Sequence, residues 1–318
     1  MLSFADMIKQ SPKGSELNEI DALVKWEQVE SKLKLIIMRV GMGRPAFSSL
    51  KMFKILLLQR LYDLSDPEME HQLYDRLSFR KFCGFRMSDD LPDETTICRF
   101  RKMLLGKSDQ LFNVVIAQLE DKGLVLKKGT LVDASIIKAQ CQPPKAKEVS
   151  EVDPQAGWTK KGDEYTYGYK AHVGVDQGSG LIVKAHTTSA NIHDSQMLEH
   201  VLSGEEEAVY ADKAYDSDPI RKRLSQAGIK ARILKRKPKG RAMPKRQQIL
   251  NKAYSRIRCH VERTFAHFKE HYRYRRARYR GWDQNQVHLH LMAIMYNLKR
   301  AVTLMKLTPA RGRGLSNS

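Results

Sequence analysis

Three carboxylates in this chain stand where an acid is expensive unless it has a task. Asp133 closes the apolar run Thr130-Leu131-Val132, and Asp212 closes Val209-Tyr210-Ala211. An ionised side chain at the end of a buried strand needs compensation. Glu262 lies in the segment Arg258 to Lys269, where spacings of four and seven put Arg258, Glu262 and Lys269 on one helical stripe. Ile257, Val261, Phe265 and Phe268 form the adjoining apolar stripe, so the polar one borders a surface suited to packing on a sheet. Taken singly, each acid has a plain structural account: a capping or turn aspartate, or an exposed Arg258–Glu262 pair worth about 0.3 kcal/mol. Taken together they suit hard, oxygen-preferring cations, magnesium or manganese rather than zinc. Two such ions activate an attacking oxygen and stabilise a leaving one in an in-line phosphoryl displacement. Without metal, clustered acids repel one another, which predicts at least one raised pKa.

The elements that must position these acids fall into two regions. The first third reads as helix. Trp26, Val29, Leu33 and Ile36 recur at helical spacing, and an apolar stretch runs from Ser48 to Leu61. Asp66-Pro67-Glu68 opens a helix toward Phe79, Asp93 caps one over Glu94 to Met103, and another spans Leu111 to Lys122. After Lys127-Lys128-Gly129 the pattern turns to strands: Thr130 to Asp133, then Tyr167 to Asp176, a turn over Gln177 to Gly180, and a return over Leu181 to Thr188. His193 to Leu202 reads as helix, Ala208 to Asp212 as strand, Asp218 to Gly228 as helix and Ile229 to Leu234 as strand. Two long helices follow, Lys245 to His271 and Gln284 to Lys306. This order predicts an α/β fold with a mixed sheet flanked by helices. The expected organisation is a helical N-terminal domain over 1–126, a domain over 127–307 that holds all three acids, and a disordered tail over 308–318.

The 318 residues carry 56 Lys plus Arg against 36 Asp plus Glu, a formal charge of +20. That field attracts a polyanion, and nucleic acid is the obvious one. The excess is clustered in Lys235-Arg236-Lys237 and its neighbours and in Arg273 to Arg280, where Arg273, Arg275 and Arg276 stand among tyrosines; clusters grip phosphates better than scattered charges. Arg99 and Arg101, on the helix from Glu94, read either as groove-reading residues or as a solvated face. The four cysteines show neither zinc-ligand spacing nor a disulfide framework. The N-terminus lacks a signal-peptide pattern and no apolar run is long enough for a membrane span, so a cytoplasmic, nucleoid-associated protein is expected. Gly41-Met42-Gly43-Arg44-Pro45 reads as a turn and not as a phosphate loop, so no nucleotide cofactor is expected. His172 and His193 read as hydrogen-bonded structural residues, and His288 and His290, two apart on a helix, make no metal pair.

In Leu131-Val132-Asp133, in Tyr210-Ala211-Asp212-Lys213-Ala214-Tyr215-Asp216 and in the helical R-x3-E-x6-K pattern, the chain resembles the DDE transposases of bacterial insertion sequences, nearest the group named for insertion sequence five. The signature of that family is Y-x2-R-x3-E-x6-K. Arg258, Glu262 and Lys269 match its last three positions, Ser255 holds the tyrosine position, and Tyr254 lies one residue, about 100°, away around the helix. Pro92 to Arg101, Gly168 to His172 and Asn191 to Asp194 are also similar to segments of that group. The resemblance implies an RNase H-like catalytic domain behind a helical domain that binds DNA ends. It implies metal-dependent cleavage at the ends of an insertion sequence and transfer of the freed 3′-hydroxyls into target DNA. Asp133 would bridge two magnesium or manganese ions, Asp212 and Glu262 would each complete one shell, and Arg258 and Lys269 would grip phosphates or a terminal base. Double-stranded DNA, as terminal inverted repeats and as target, is the implied partner, with a homodimer or larger assembly formed on it. Two other readings stay open: an RNase H-like nuclease that never joins DNA, and a DNA-binding regulator with a silent catalytic domain.

Overall fold

The computed structural model describes residues 16–37, 47–145 and 148–307. The turn at Gly41 to Pro45 and the tail over 308–318 lie outside the described residues.

The N-terminal third is helical, as the periodicity implies: α1 (Glu16–Leu23), α2 (Trp26–Ile36), α3 (Ser49–Leu61), α4 (Asp66–Asp75), α5 (Leu77–Cys83), α6 (Glu94–Met103) and α7 (Ser108–Asp121). α2 buries the expected Trp26, Val29, Leu33 and Ile36. A reciprocal capping box between Ser65 and Glu68, with a proline in the first turn, starts α4. The single helix expected from Asp66 to Phe79 is two, because the backbone is extended at Arg76 (φ −104°, ψ 106°) and re-enters the helical region at Leu77. α6 starts where Asp93 accepts a hydrogen bond from the Thr96 amide at 2.7 Å.

The remainder forms β1 (Thr130–Lys138), β2 (Gly157–Lys161), β3 (Glu164–Asp176), β4 (Ile182–Ser189), β5 (Ala208–Ala211), α8 (Asp218–Gln226), β6 (Lys230–Ile233), α9 (Lys245–His271) and α10 (Trp282–Leu307). β1 runs antiparallel to β3 along its whole length and parallel to β5 only at Thr130 and Leu131; β5 runs parallel to β6. The far edge of β3 is shared, by β2 toward one end and β4 toward the other. Three antiparallel strands followed by two parallel ones are the RNase H-like arrangement, a mixed α/β sheet behind a helical N-terminal region. Two differences from the sequence reading stand out. β2 is an extra strand, unreadable as such because Lys160-Lys161-Gly162-Asp163 has loop composition. His193 to Leu202 is not one helix but two 3₁₀ turns, Asp194–Met197 and Glu199–Val201, which set Met197, Leu198 and Val201 inward.

Gly168 explains part of its motif. A Cβ there would stand 2.1 Å from the Ile137 carbonyl oxygen and 2.8 Å from the Ala139 nitrogen, and backbone cannot move aside as a flexible side chain can. Gly168→Ala is expected to cost about 2 kcal/mol, read as a lower urea midpoint at unchanged slope. An unshifted midpoint would mean that β1 gives way here.

α10 is the central pillar. Asn297 clasps Ile182 of β4 on both sides, its Oδ1 accepting from the amide at 2.8 Å and its Nδ2 donating to the carbonyl at 2.7 Å. Around it one hydrophobic cluster runs from Leu17 through the helical third and the sheet to Ala301. A smaller cluster, with Val132, Val209, Tyr215 and Ile220, fills the other face of the sheet under α8. Among the described residues no helix is long and apolar enough to cross a membrane.

Candidate active site

β5 leaves β1 after Leu131, and the edge of β1 is next paired at Lys138, whose amide donates to the Arg275 carbonyl at 3.1 Å. Over this interval opens a groove of about 1090 Å³, and all three acids singled out above line it: Asp133 from β1, Asp212 just past β5 and Glu262 from α9. The position of each follows from local structure. Leu131 and Val132 are fully buried, so the strand delivers Asp133 half-buried at the lip. Ala208 to Ala211 are buried throughout, which delivers Asp212 to the end of β5. On α9, Val261, Thr264, Phe265 and Phe268 pack inward and turn Glu262 toward the groove.

Arg258 occupies the space between two of the acids. Its Nη1 lies 3.4 Å from Asp133 Oδ2 and its Nη2 donates to Glu262 Oε1 at 2.5 Å. Its Nε is buried and, among the described residues, has no hydrogen-bond partner. The exposed Arg258–Glu262 pair of the bland reading is therefore a three-centre cluster, with an arginine side chain only 14% exposed. Among the described residues no three His, Cys, Asp or Glu side chains are placed to hold an ion together. The donor set nonetheless fits a hard cation. It is all oxygen, and the Asp133 carboxyl is pushed up to about 6, first by burial and then by Glu262 and Asp212, against the pull of Arg258 and the Ala134 amide. A raised carboxyl is expected, and its main cause here is burial, with repulsion from the other acids a smaller one.

The cations expected near the site separate into groups. Lys269 lines the groove half-buried. Lys235, Arg236 and Lys237 are exposed on the loop before α9, and Arg236 and Lys237 line a smaller depression with Asp212; Arg236 Nε donates to the Lys213 carbonyl at 2.9 Å. Arg275 and Arg276 line the main groove, and the Arg276 guanidinium also donates to the Ala139 and Gln140 carbonyls. Arg273 is exposed, 3.6 Å from Asp63 and outside the groove lining. Arg99 is exposed on α6. Arg101 is a correction. It is 5% exposed, forks onto both Asp66 oxygens at 2.7 and 2.5 Å, and lies 4.8 Å from the Tyr279 ring centre, so it is committed to the interior and unavailable to a DNA groove.

Tyr254 packs edge-on against Tyr210, centroids 6.0 Å apart, on the core side of α9, while Ser255 is exposed. The neighbour of the signature position is thus no substitute for its tyrosine. The structural reading of the histidines agrees with what they touch. Burial lowers His172 to about 4, and its Nε2 meets Thr188 Oγ1 at 2.9 Å. His193 caps its own 3₁₀ turn through Ser195, His288 meets Arg60 at 3.1 Å and His290 meets Ser108 at 2.8 Å.

The sequence reading missed several groove residues. Asp194 lines it, paired at 2.9 Å with Lys170, whose Nζ also donates to the Ile192 carbonyl. The available signal was the acid in Asn191-Ile192-His193-Asp194 directly after β4. Lys138, at the end of β1, also lines it, as do Lys160 and Lys161, whose signal was the unread hairpin between β2 and β3.

A family described as "Transposase DDE domain" matches residues 126–298, and one described as "Transposase domain (DUF772)" matches residues 5–103. Among solved structures, the chain is similar to the cryo-EM structure of a piggyBac transposase synaptic complex with hairpin DNA, at 10% identity and a TM-score of 0.43, over 92% of this chain and 75% of that one.

Proposed function

Because this chain belongs to the transposase DDE domain family, and is thus a DNA transposase, an enzyme that cuts DNA and joins strands, we propose that Asp133, Asp212 and Glu262 are its catalytic carboxylates. The observation that supports this assignment is their convergence, from two strand ends and a helix, on one groove whose other walls are rich in cations. Divalent metal use is general to the family; magnesium or manganese, held by these three side chains once Arg258 gives way, is our finer assignment. When bound, the ions activate the attacking oxygen and stabilise the leaving one.

The remaining tasks belong to the chain itself. Arg258, which balances Asp133 and Glu262 in the DNA-free protein, transfers its charge to a phosphate of incoming DNA. Lys269 grips the strand beside the cut, and the Lys235 to Lys237 loop, next to Asp212, holds flanking duplex with Arg275 and Arg276. The helices of residues 1–126 recognise the ends of the element, with Arg99 but not Arg101 available on α6. Two ends have to meet, so a dimer or larger assembly forms on DNA. Water opens a phosphodiester at the end of the element, and the exposed 3′-hydroxyl attacks target DNA.

Purified protein incubated with DNA carrying its own gene and flanks, with and without magnesium or manganese, tests this. Metal-dependent breaks at fixed flanking positions followed by joined products are expected. Breaks with no joined product would leave a nuclease, and binding with no break would leave a regulator.

Asp133 adds a pH signature. A protonated carboxyl is a poor metal ligand, and the metal-free value is about 6. The groups facing it are Arg258, Glu262 and Lys269 from α9, Asp212 beyond β5 and Tyr215 just after it. Manganese affinity, measured calorimetrically, is expected to fall about tenfold per pH unit below that value and to level off above it. A flat profile across it would contradict the placement of Asp133 on the metal.

A further inference from the structure

Three cations from separate elements line the same groove as the acids. Lys161 ends β2 at the tip of the β2–β3 hairpin, Lys269 lies in the last turns of α9, and Arg275 follows that helix. They are close enough to oppose one another: the Lys269 amine is held below its ordinary value, first by burial and then by repulsion from Lys161 and Arg275. Among the described residues none of the three forms an ion pair, and the one acid at the hairpin tip that pairs within the groove, Glu164, does so with Lys138 at 3.4 Å. Folding has thus gathered like charges whose one offsetting acid, Asp133, acts on Lys269 without pairing with it.

The arrangement is built and not accidental. Gly162, with φ +61°, takes the first of two turn positions between Lys161 and Glu164, where a tight hairpin needs a residue free of Cβ strain. The base of the hairpin is fixed by Trp158 against Tyr167, centroids 5.3 Å apart, and by the Tyr167 hydroxyl donating to the Asp153 carbonyl at 2.9 Å. Arg275 is held by the bond from the Lys138 amide to its carbonyl. Both jaws are anchored in backbone, leaving the charged ends to face the groove.

We propose that Lys161, Lys269 and Arg275 form a preassembled clamp for one backbone phosphate of the DNA strand leading away from the carboxylates, with the β2–β3 hairpin as one jaw. The proposal rests on the DNA transposase reading and extends it to a hairpin that the signature helix does not include. A phosphate fits because its oxygens can accept from three donors at once, whereas a carboxylate of the protein itself would have closed the site. The contact is to backbone, so it contributes grip and register but no sequence preference.

The test is binding of the full chain, without metal, to fluorescent duplex from the flanks of its own gene over a salt series. The Lys161→Gln/Arg275→Gln variant is expected to bind roughly tenfold more weakly, with a log–log salt slope smaller by about 1. Lys161→Arg is expected to retain wild-type affinity, and Lys122→Gln, at the end of α7 and outside the groove lining, is expected to change neither quantity. Both glutamines replace exposed residues, and matching thermal melts would confirm that the fold is kept. Wild-type affinity and slope in the double variant would overturn the clamp. Since the readout is binding, that outcome is independent of whether the cleavage assay upholds the catalytic reading.

Discussion

Asp133→Asn is expected to abolish metal-dependent cleavage while leaving a protein that melts at the same temperature or higher. Loss of the carboxylate shared with Arg258 removes a proposed metal ligand, and the several kcal/mol of transition-state stabilisation that a bound metal contributes correspond to roughly 10³-fold or more in rate. The stability half follows from the same environment. In the folded protein the Asp133 carboxyl sits at about 6, raised chiefly by burial, so near neutral pH its ionised form opposes folding. A neutral isostere removes that opposition. Single-turnover cleavage beside calorimetric melting tests both halves. Cleavage within tenfold of wild type would remove Asp133 from the chemistry, and a marked fall in melting temperature would show that its ion pair with Arg258 is structural.

The opposite balance holds at Asp66. Burial pushes its carboxyl up, but hydrogen bonds from Arg101 and Gln59, with the charges of Arg101 and Arg60, outweigh burial and hold it below the ordinary value. The side chains of Arg101 and Asp66 are 6% and 21% exposed. Asp66→Ala strands a buried guanidinium and is expected to cost about 3 kcal/mol. The Asp66→Ala/Arg101→Met double variant is expected to recover much of this, because no charge is left behind. The sign with pH follows: a depressed carboxyl contributes its full stability above the ordinary carboxylate range and loses it as pH falls through the lower folded value. Denaturant unfolding of both variants at neutral and acid pH measures it. Equal cost in the single and double variants would mean that Arg101 finds another partner.

These two aspartates also show what a sequence discloses. That Asp133, Asp212 and Glu262 line one groove was legible because each signal is local: an acid at the close of an apolar run, or a polar stripe beside an apolar one. α9, α10 and the β3–β4 hairpin were legible for the same reason. Arg101 was not, since its partner Asp66 lies 35 residues earlier and only the packing of α6 against α4 brings them together. On the sequence, Arg101 and Arg99 look alike, and burial alone separates them. Asp194 and Lys170, 24 residues apart, met for the same non-local reason. β2 was hidden because an edge strand that carries charge outward has no apolar alternation to reveal it. The position of Arg258 between Asp133 and Glu262 was half visible: the helix spacing gives one partner, and only the seating of α9 on β1 gives the other.

The hydrophobic cluster around α10 carries a consequence for modularity. Its members come from the helical third, from the sheet and from α10 itself, with Leu289, Met292, Met295 and Leu298 buried among them. Cutting the chain between α7 and β1 would strip one side of α10 and leave an apolar stripe bare to water, so the halves are not exchangeable cassettes. The helical third and the sheet share one core, so a single unfolding transition in calorimetric melting is expected. A swap between relatives that changed the helices but not the face of α10 would be rejected at the level of folding, before any DNA was met.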